Sequence, residues 1–228
     1  MTLDIIARVR TDFPTKFGVP RQSGLTNAVG KIEFVGQYKN PDAIRGIEGF
    51  SHLWVLWGFS ENRRNGFAAT VRPPRLGGNA RRGVFATRSP YRPNPIGLSC
   101  VKLLRVTEDG SLEIAGADMI DGTPVYDIKP YLPFADCHAD ATGGFAEDAL
   151  GNALEVDFPE ALLSRIPPEK RAALLGALAQ DPRPSYQEDA SRQYGMPYAG
   201  WDIHFTVEDG ILHVTSLTPY RDPKENAP

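Results

Sequence analysis

Glycine and proline decide what this chain can become. Twenty-two glycines and 20 prolines are spread along 228 residues. They form no repeat, so they cut the sequence into short segments joined by specified turns. Residues 52–59 (HLWVLWGF) are almost continuously apolar between Gly49 and Ser60. Such a run, rich in Trp, Val and Phe, predicts a buried strand. Residues 3–10, 31–35, 83–87, 98–107, 111–117 and 124–129 continue the pattern, with Glu108-Asp109-Gly110 as a hairpin turn. Short, regularly spaced strands with Gly/Pro punctuation predict a mainly β fold, a small closed or nearly closed β-barrel. No helical pattern alternates with the strands, which argues against a doubly wound α/β fold.

The composition changes after residue 136. The stretch 137–152 (CHADATGGFAEDALGN) is small, acidic and loop-like. Pro167-Pro168 then open a helix over 169–180, which Asp181-Pro182 stop. Residues 201–207 (WDIHFTV) alternate apolar and polar, turn at Glu208-Asp209-Gly210 and return as 211–217, a half-buried hairpin. The expected organisation is a barrel domain over 1–137 and a small α+β C-terminal domain over 138–228.

Charge is distributed unevenly. From Arg63 to Arg92 there are eight Arg, no Lys and no acidic residue, in a chain of net charge −3. The remainder is therefore strongly acidic, and one stiff basic region stands on it. That layout suits a polyanion docked in a single orientation, because the rest of the surface repels it. The balance of 41% hydrophobic and 23% charged residues is that of a globular domain. No apolar run reaches membrane-spanning length, and MTLDIIARVR lacks the pattern of a signal peptide. Cys100 and Cys137 lie too far apart for a C-x-x-C motif and read as two reduced thiols of a cytoplasmic protein.

Familiar catalytic signatures are missing. GGNARRG lacks the dinucleotide-binding spacing, GLSCV lacks the last glycine of a nucleophile elbow, and the four His show no zinc-ligand spacing, so no metal is expected. Trp54, Trp57 and Phe59 have apolar neighbours and read as core side chains rather than a stacking platform. Four polar loops remain at strand ends, where sites on β scaffolds are built: Pro20-Arg21-Gln22, Ser60-Glu61-Asn62, Thr87-Arg88-Ser89 and 118–124 (DMIDGTP). In the C-terminal part, DPRPSY places Arg183 between two prolines, displaying its guanidinium, with Tyr186 available to stack on a base.

The strings VRPPRLGGNARRGVFATRSPYRPNPIGLS and DGTPVYDIKPYLPFAD, preceded by GFSHLWVLWGF, resemble the TrmO family of tRNA N(6)-threonylcarbamoyladenosine methyltransferases. The likeness runs from about residue 4 to 137 and resumes at DPRPSY and the final hairpin. It implies an S-adenosylmethionine-binding barrel, distinct from the Rossmann-like methyltransferases and usually a homodimer. It also implies a substrate, the threonylcarbamoylated adenosine beside the anticodon of threonine tRNA, methylated on its exocyclic nitrogen. By position, the resemblance assigns the cofactor to Pro20, Arg21, Gln22, Ser60, Glu61, Arg88, Leu98, Asp118, Met119, Ile120, Asp121 and Gly122. Ser60 stands where family members often carry His.

Carbamoylation delocalises the lone pair of the target nitrogen and makes its proton more acidic, so a nearby base helps. Asp121, Tyr131 and Asp136 are the expected proton acceptors or orienting groups. Arg72, Arg75, Arg81, Arg82 and Arg92 are expected to hold anticodon-stem phosphates. Arg183 and Tyr186 are expected to reach the RNA, from one subunit towards the site of the other. Two alternatives are a non-catalytic RNA-binding barrel, to which Ser60 points, and a methyltransferase for another RNA or small molecule, for which the divergent 138–180 leaves room.

Overall fold

The computed structural model describes residues 2–61, 67–72, 80–148, 153–183, 189 and 191–222. Arg75 and Tyr186 lie outside them. The strands are β1 (Ala7–Arg10), β2 (Val29–Phe34), β3 (His52–Gly58), the short pair β4 (Thr70–Val71) and β5 (Arg82–Gly83), then β6 (Ile96–Val106), β7 (Leu112–Ala115) and β8 (Pro124–Pro130). Six of them close into a barrel in the order β1-β2-β7-β6-β3-β8. The ring is completed where Ala7 pairs with Val125 and Arg8 with Pro124.

Alternation explains why the barrel closes. Leu53, Val55 and Trp57 of β3 face inward with Val101 and Leu103 of β6, Ile32 of β2, Leu112 and Ile114 of β7 and Val125 of β8, all buried. Side chains of period two fill such a ring and leave the intervening residues outside. Nearly every predicted strand is present with its ends moved by a few residues. Residues 83–87 differ most: after β5 the chain winds into a 3-10 turn, Val84–Ala86. The backbone N–H and the hydroxyl of Thr87 both donate to the Val84 carbonyl, at 3.2 and 2.9 Å. A Thr that satisfies the turn locally removes the reason to extend.

The barrel's neighbours all run antiparallel. The connections 11–28, 59–95 and 116–123 therefore emerge at one end, and 35–51 and 107–111 at the other. The four loops singled out above belong to the first set.

The remaining elements are α1 (Pro133–Asp136), α2 (Phe145–Asp148), β9 (Glu155–Asp157), α3 (Glu160–Leu163), α4 (Pro168–Ala179), β10 (Tyr194–Tyr198), β11 (Trp201–Glu208) and β12 (Ile211–Pro219). They make a four-stranded sheet, β10-β11-β12-β9, with β9 parallel to β12 and the rest antiparallel. Ala173, Leu174, Ala177 and Leu178 of α4 pack on the buried face of that sheet. Neither β9 nor β10 was visible in the sequence. One is three residues long, and the other (YGMPY) contains the Gly and Pro that usually argue against a strand.

The second core also takes Phe13 and Ala28 from the β1–β2 connection, with Phe17 and Val19 packed against it. Lys170 of α4 donates to Asp12 at 2.6 Å, and the Ala199 N–H donates to the Asp12 carbonyl. The C-terminal sheet is thus seated on the barrel connection that carries Pro20-Arg21-Gln22.

Candidate active site

At the end of the barrel where those three connections emerge lies a cavity of about 780 Å³. Its wall is built from the end of β3, the start of β6 and the connections around them. Pro20, Arg21, Gln22, Ser60, Glu61, Arg88, Leu98, Asp118, Met119 and Ile120 all line it, together with Arg92 and Thr123. Ten of the twelve positions assigned to the cofactor by resemblance therefore share one hollow. Asp121 and Gly122 do not line it.

Tight backbone approach shapes the wall. A Cβ on Gly97 would lie 2.2 Å from the Trp57 indole. Only glycine lets that ring lie flat against β6. Trp57 in turn packs on Phe59, with ring centroids 4.4 Å apart. Trp54, Trp57 and Phe59 all line the cavity. Trp57 is 7% exposed and belongs to the barrel interior, with Phe59 packed against it, as expected of core side chains; all three rings serve the cavity wall as well. β3 ends at the barrel mouth, so its last residues serve both surfaces.

A polar chain runs from that ring to the cavity. Trp57 Nε1 donates to Ser99 Oγ at 2.9 Å, and Ser99 Oγ donates to Asp118 Oδ1 at 2.6 Å. Burial pushes the Asp118 carboxyl up to about 6, against the partial restoring effect of the Ser99 hydroxyl, two backbone N–H groups and the Arg88 charge. A carboxylate poised near neutrality inside a cleft is suited to exchanging a proton.

The cation side is assembled by Gln22. Its Oε1 accepts from Arg88 Nη1, while its Nε2 donates to the Arg21 carbonyl at 2.6 Å. Arg21 Nη2 donates to the Asp181 and Arg183 carbonyls at 2.7 and 3.3 Å. Arg21 thereby ties the cavity loop to the C-terminal part. Arg92 Nη1 donates to the Thr87 carbonyl and holds its own loop.

None of the three expected proton acceptors lines the cavity. Asp121 accepts from the Thr11 N–H at 3.1 Å and from Arg10 at 3.5 Å, bracing two barrel connections. Asp136 accepts from Trp54 Nε1 at 3.0 Å and from the Leu132 N–H at 2.8 Å. Tyr131 packs on Trp54 at 5.8 Å, and burial raises its hydroxyl further above the usual range. Tyr131 and Asp136 follow β8 and do not line the cavity, but both touch Trp54, which does. Asp118, assigned to the cofactor in the sequence, is the half-buried carboxylate that lines it.

Arg72, Arg81 and Arg82 are exposed beside β4 and β5. Among the described residues no carboxylate pairs with them or with Arg88 or Arg92, although Arg82 lies over the Phe145 ring at 5.1 Å. Arg183 behaves otherwise. Its Nε and Nη2 make a two-pronged contact with Asp181, both at 2.9 Å, and its side chain is 13% exposed. The expectation of a displayed guanidinium is corrected, because the carboxylate two residues earlier captures it.

The signature of the tRNA-methyltransferase O N-terminal domain matches residues 8–137, and that of the TrmO C-terminal domain matches 152–220. The tRNA (adenine(37)-N6)-methyltransferase of Escherichia coli (strain K12) is 42% identical, over 94% of this chain and 96% of its own. The S-adenosyl-L-methionine-binding protein of Archaeoglobus fulgidus is 41% identical, over 60% of this chain and 94% of its own. The crystal structure of TrmO from Pseudomonas aeruginosa superposes with a TM-score of 0.76 at 32% identity, covering 96% of this chain and 98% of that one. With both domain signatures met in order and a solved relative matching almost end to end, the chain belongs to the tRNA-methyltransferase O family.

Proposed function

We propose that this protein transfers a methyl group from S-adenosylmethionine to the exocyclic nitrogen of adenine 37 in tRNA. The finer reading is that the adenine is threonylcarbamoylated, that the tRNA is the threonine acceptor, and that the enzyme works as a cytoplasmic homodimer. Its parts are a cofactor-binding barrel over 1–137 and a C-terminal domain over 138–228. The observation that carries this reading is the single hollow uniting Pro20–Gln22, Ser60–Glu61, Arg88, Leu98 and Asp118–Ile120, with the Arg92 side chain in its wall.

The residues suit the cofactor. About 780 Å³ lies within the range of small-molecule sites. The Trp57–Phe59 pair, Leu98 and Met119 offer apolar and aromatic surface for a purine and for a sulfonium, which favours ring faces. Arg88, Arg92 and Lys16 offer cations to a carboxylate. When bound, S-adenosylmethionine supplies an already activated methyl group, so the protein's contribution is alignment and exclusion of water, worth several kcal/mol. Asp118 takes the proton leaving the target nitrogen, its carboxyl held in place by Ser99 and through it by Trp57. The arginines of 72–92 hold the phosphates on either side.

The test is methylation in vitro with radiolabelled cofactor, followed by mass spectrometry of the tRNA nucleosides. Methylated threonylcarbamoyladenosine is expected from threonine tRNA, with none from a transcript lacking the modification. Asp118→Asn is expected to lower turnover at least 100-fold while retaining cofactor binding by calorimetry. Product on neither RNA overturns the reading. Loss of cofactor binding in Asp118→Asn moves that residue from proton transfer to cofactor contact.

A further inference from the structure

Two aromatic side chains near the cavity have no role in the reading above. Phe67 is 64% exposed and Phe85 is 73% exposed. Their rings lie side by side, centroids 6.5 Å apart and inclined by 26°. Leaving two adjacent phenyl rings in water forgoes burial that a Phe side chain normally gains.

The backbone segments that carry the pair are tied to each other. Val84 is buried and anchors the 3-10 turn that carries Phe85. The Val84 N–H donates to the Ala69 carbonyl at 2.9 Å, pinning that turn to the segment that carries Phe67. β4 and β5 continue the link, pairing Thr70 with Gly83 and Val71 with Arg82. With the backbone fixed before binding, only the side-chain torsions of the two rings remain to be ordered on binding.

Their surroundings select the partner. Arg72, Arg81 and Arg82 are exposed around the same strand pair, and no acidic residue occurs between Arg63 and Arg92. A protein partner would need an apolar patch ringed by carboxylates. A single-stranded nucleic acid offers π-faces and phosphates together, which is what ring-plus-guanidinium surfaces hold. Duplex RNA keeps its base faces covered by its own stack. Phe85 is three residues before Arg88, which lines the cavity, so the two are at most about 10 Å apart along the chain.

We propose that Phe67 and Phe85 form a stacking platform for unpaired bases next to the one that enters the cavity, so that the enzyme grips an opened loop rather than a stem. This rests on the RNA-modifying reading and extends it to how the flanking nucleotides are held. Stacking on the rings offsets the cost of unstacking the target base from its neighbours.

The experiment compares a 17-nucleotide anticodon hairpin, a blunt duplex of the same stem, and hairpins with 2-aminopurine at loop positions. Phe67→Ala, Phe85→Ala and the double variant are expected to bind the hairpin about tenfold more weakly per ring. Binding to the duplex should stay as in the wild type. The 2-aminopurine emission that the wild type changes should stay unchanged with the double variant, and Phe85→Trp should restore affinity. The salt dependence of the Phe variants should keep the wild-type slope, since no charge is removed, whereas Arg81→Ala/Arg82→Ala should flatten it. Wild-type affinity of the double variant for the hairpin overturns the platform and leaves the RNA reading intact. A double variant whose sedimentation shifts from dimer to monomer with unchanged hairpin affinity assigns the rings to a second copy of this chain, and likewise overturns it. A wild-type protein that binds neither RNA overturns both readings.

Discussion

At the scale of single residues, Asp118 sets function against stability. Its carboxyl ionises at about 6 in the folded chain against 3.8 unperturbed. Below pH 4 both folded and unfolded forms carry the proton. Between 4 and 6 the unfolded chain gives its proton up while the folded one keeps it. Above 6 the fold holds a half-buried charge, at a cost of order 2–3 kcal/mol. Asp118→Asn removes that charge and keeps an oxygen to accept from Ser99. Its melting temperature is expected to exceed the wild type by roughly 5 °C at pH 8 and to converge with it near pH 4. Calorimetric scans across that range check this, and a gain constant with pH would show that charge burial is not its cause. Sequence placed Asp118 in the right loop. It could not separate it from Asp121, three residues later and chemically identical, because the choice between cavity and brace is made by the Thr11 N–H and Arg10 across the barrel mouth.

At the scale of elements, the site depends on connections rather than strands. The β1–β2 connection, 11–28, has almost no regular structure, yet it carries Pro20–Gln22. It is held by α4 through Lys170 and Asp12, and by the Arg21 contacts to the Asp181 and Arg183 carbonyls. Lys170→Met should cost about 1 kcal/mol. Amide exchange in 11–28 should quicken before any barrel strand responds, and cofactor affinity should drop a few-fold. Unchanged exchange in that segment would show that α4 does not brace it. The strands themselves were readable because their inward faces alternate cleanly, as in Leu53, Val55 and Trp57. Counting antiparallel crossings then separates the cavity loops from Tyr131 and Asp136, which lie one strand further on. What stayed hidden was fixed by contacts distant in sequence: β10, whose Gly and Pro mask it, and Arg183, whose guanidinium turns back on Asp181.

At the scale of the whole molecule, the two cores are coupled through the β1–β2 connection, and Phe13 is its most deeply buried aromatic side chain. Phe13 belongs to the barrel's connection but is buried in the C-terminal core, 1% exposed, its ring 5.1 Å from that of Tyr198. Its carbonyl meanwhile accepts from the Asp121 N–H at 2.8 Å, in the connection between β7 and β8. Loosening the second core therefore pulls on two of the three connections that build the cavity. The expected outcome is one cooperative thermal transition for the intact chain, since the connection that carries Phe13 is fixed to the C-terminal core by its side chain and to the barrel's β7–β8 connection by its carbonyl. Phe13→Ala should lower stability by about 3–5 kcal/mol and split the transition in two, a C-terminal melt preceding the barrel. Cofactor binding should be lost with the first transition, not the second, because the cavity loops come free while the barrel strands still hold. Two transitions already present in the wild type, or cofactor binding that survives to the barrel melt, would show that the barrel mouth keeps its shape without the sheet seated on it.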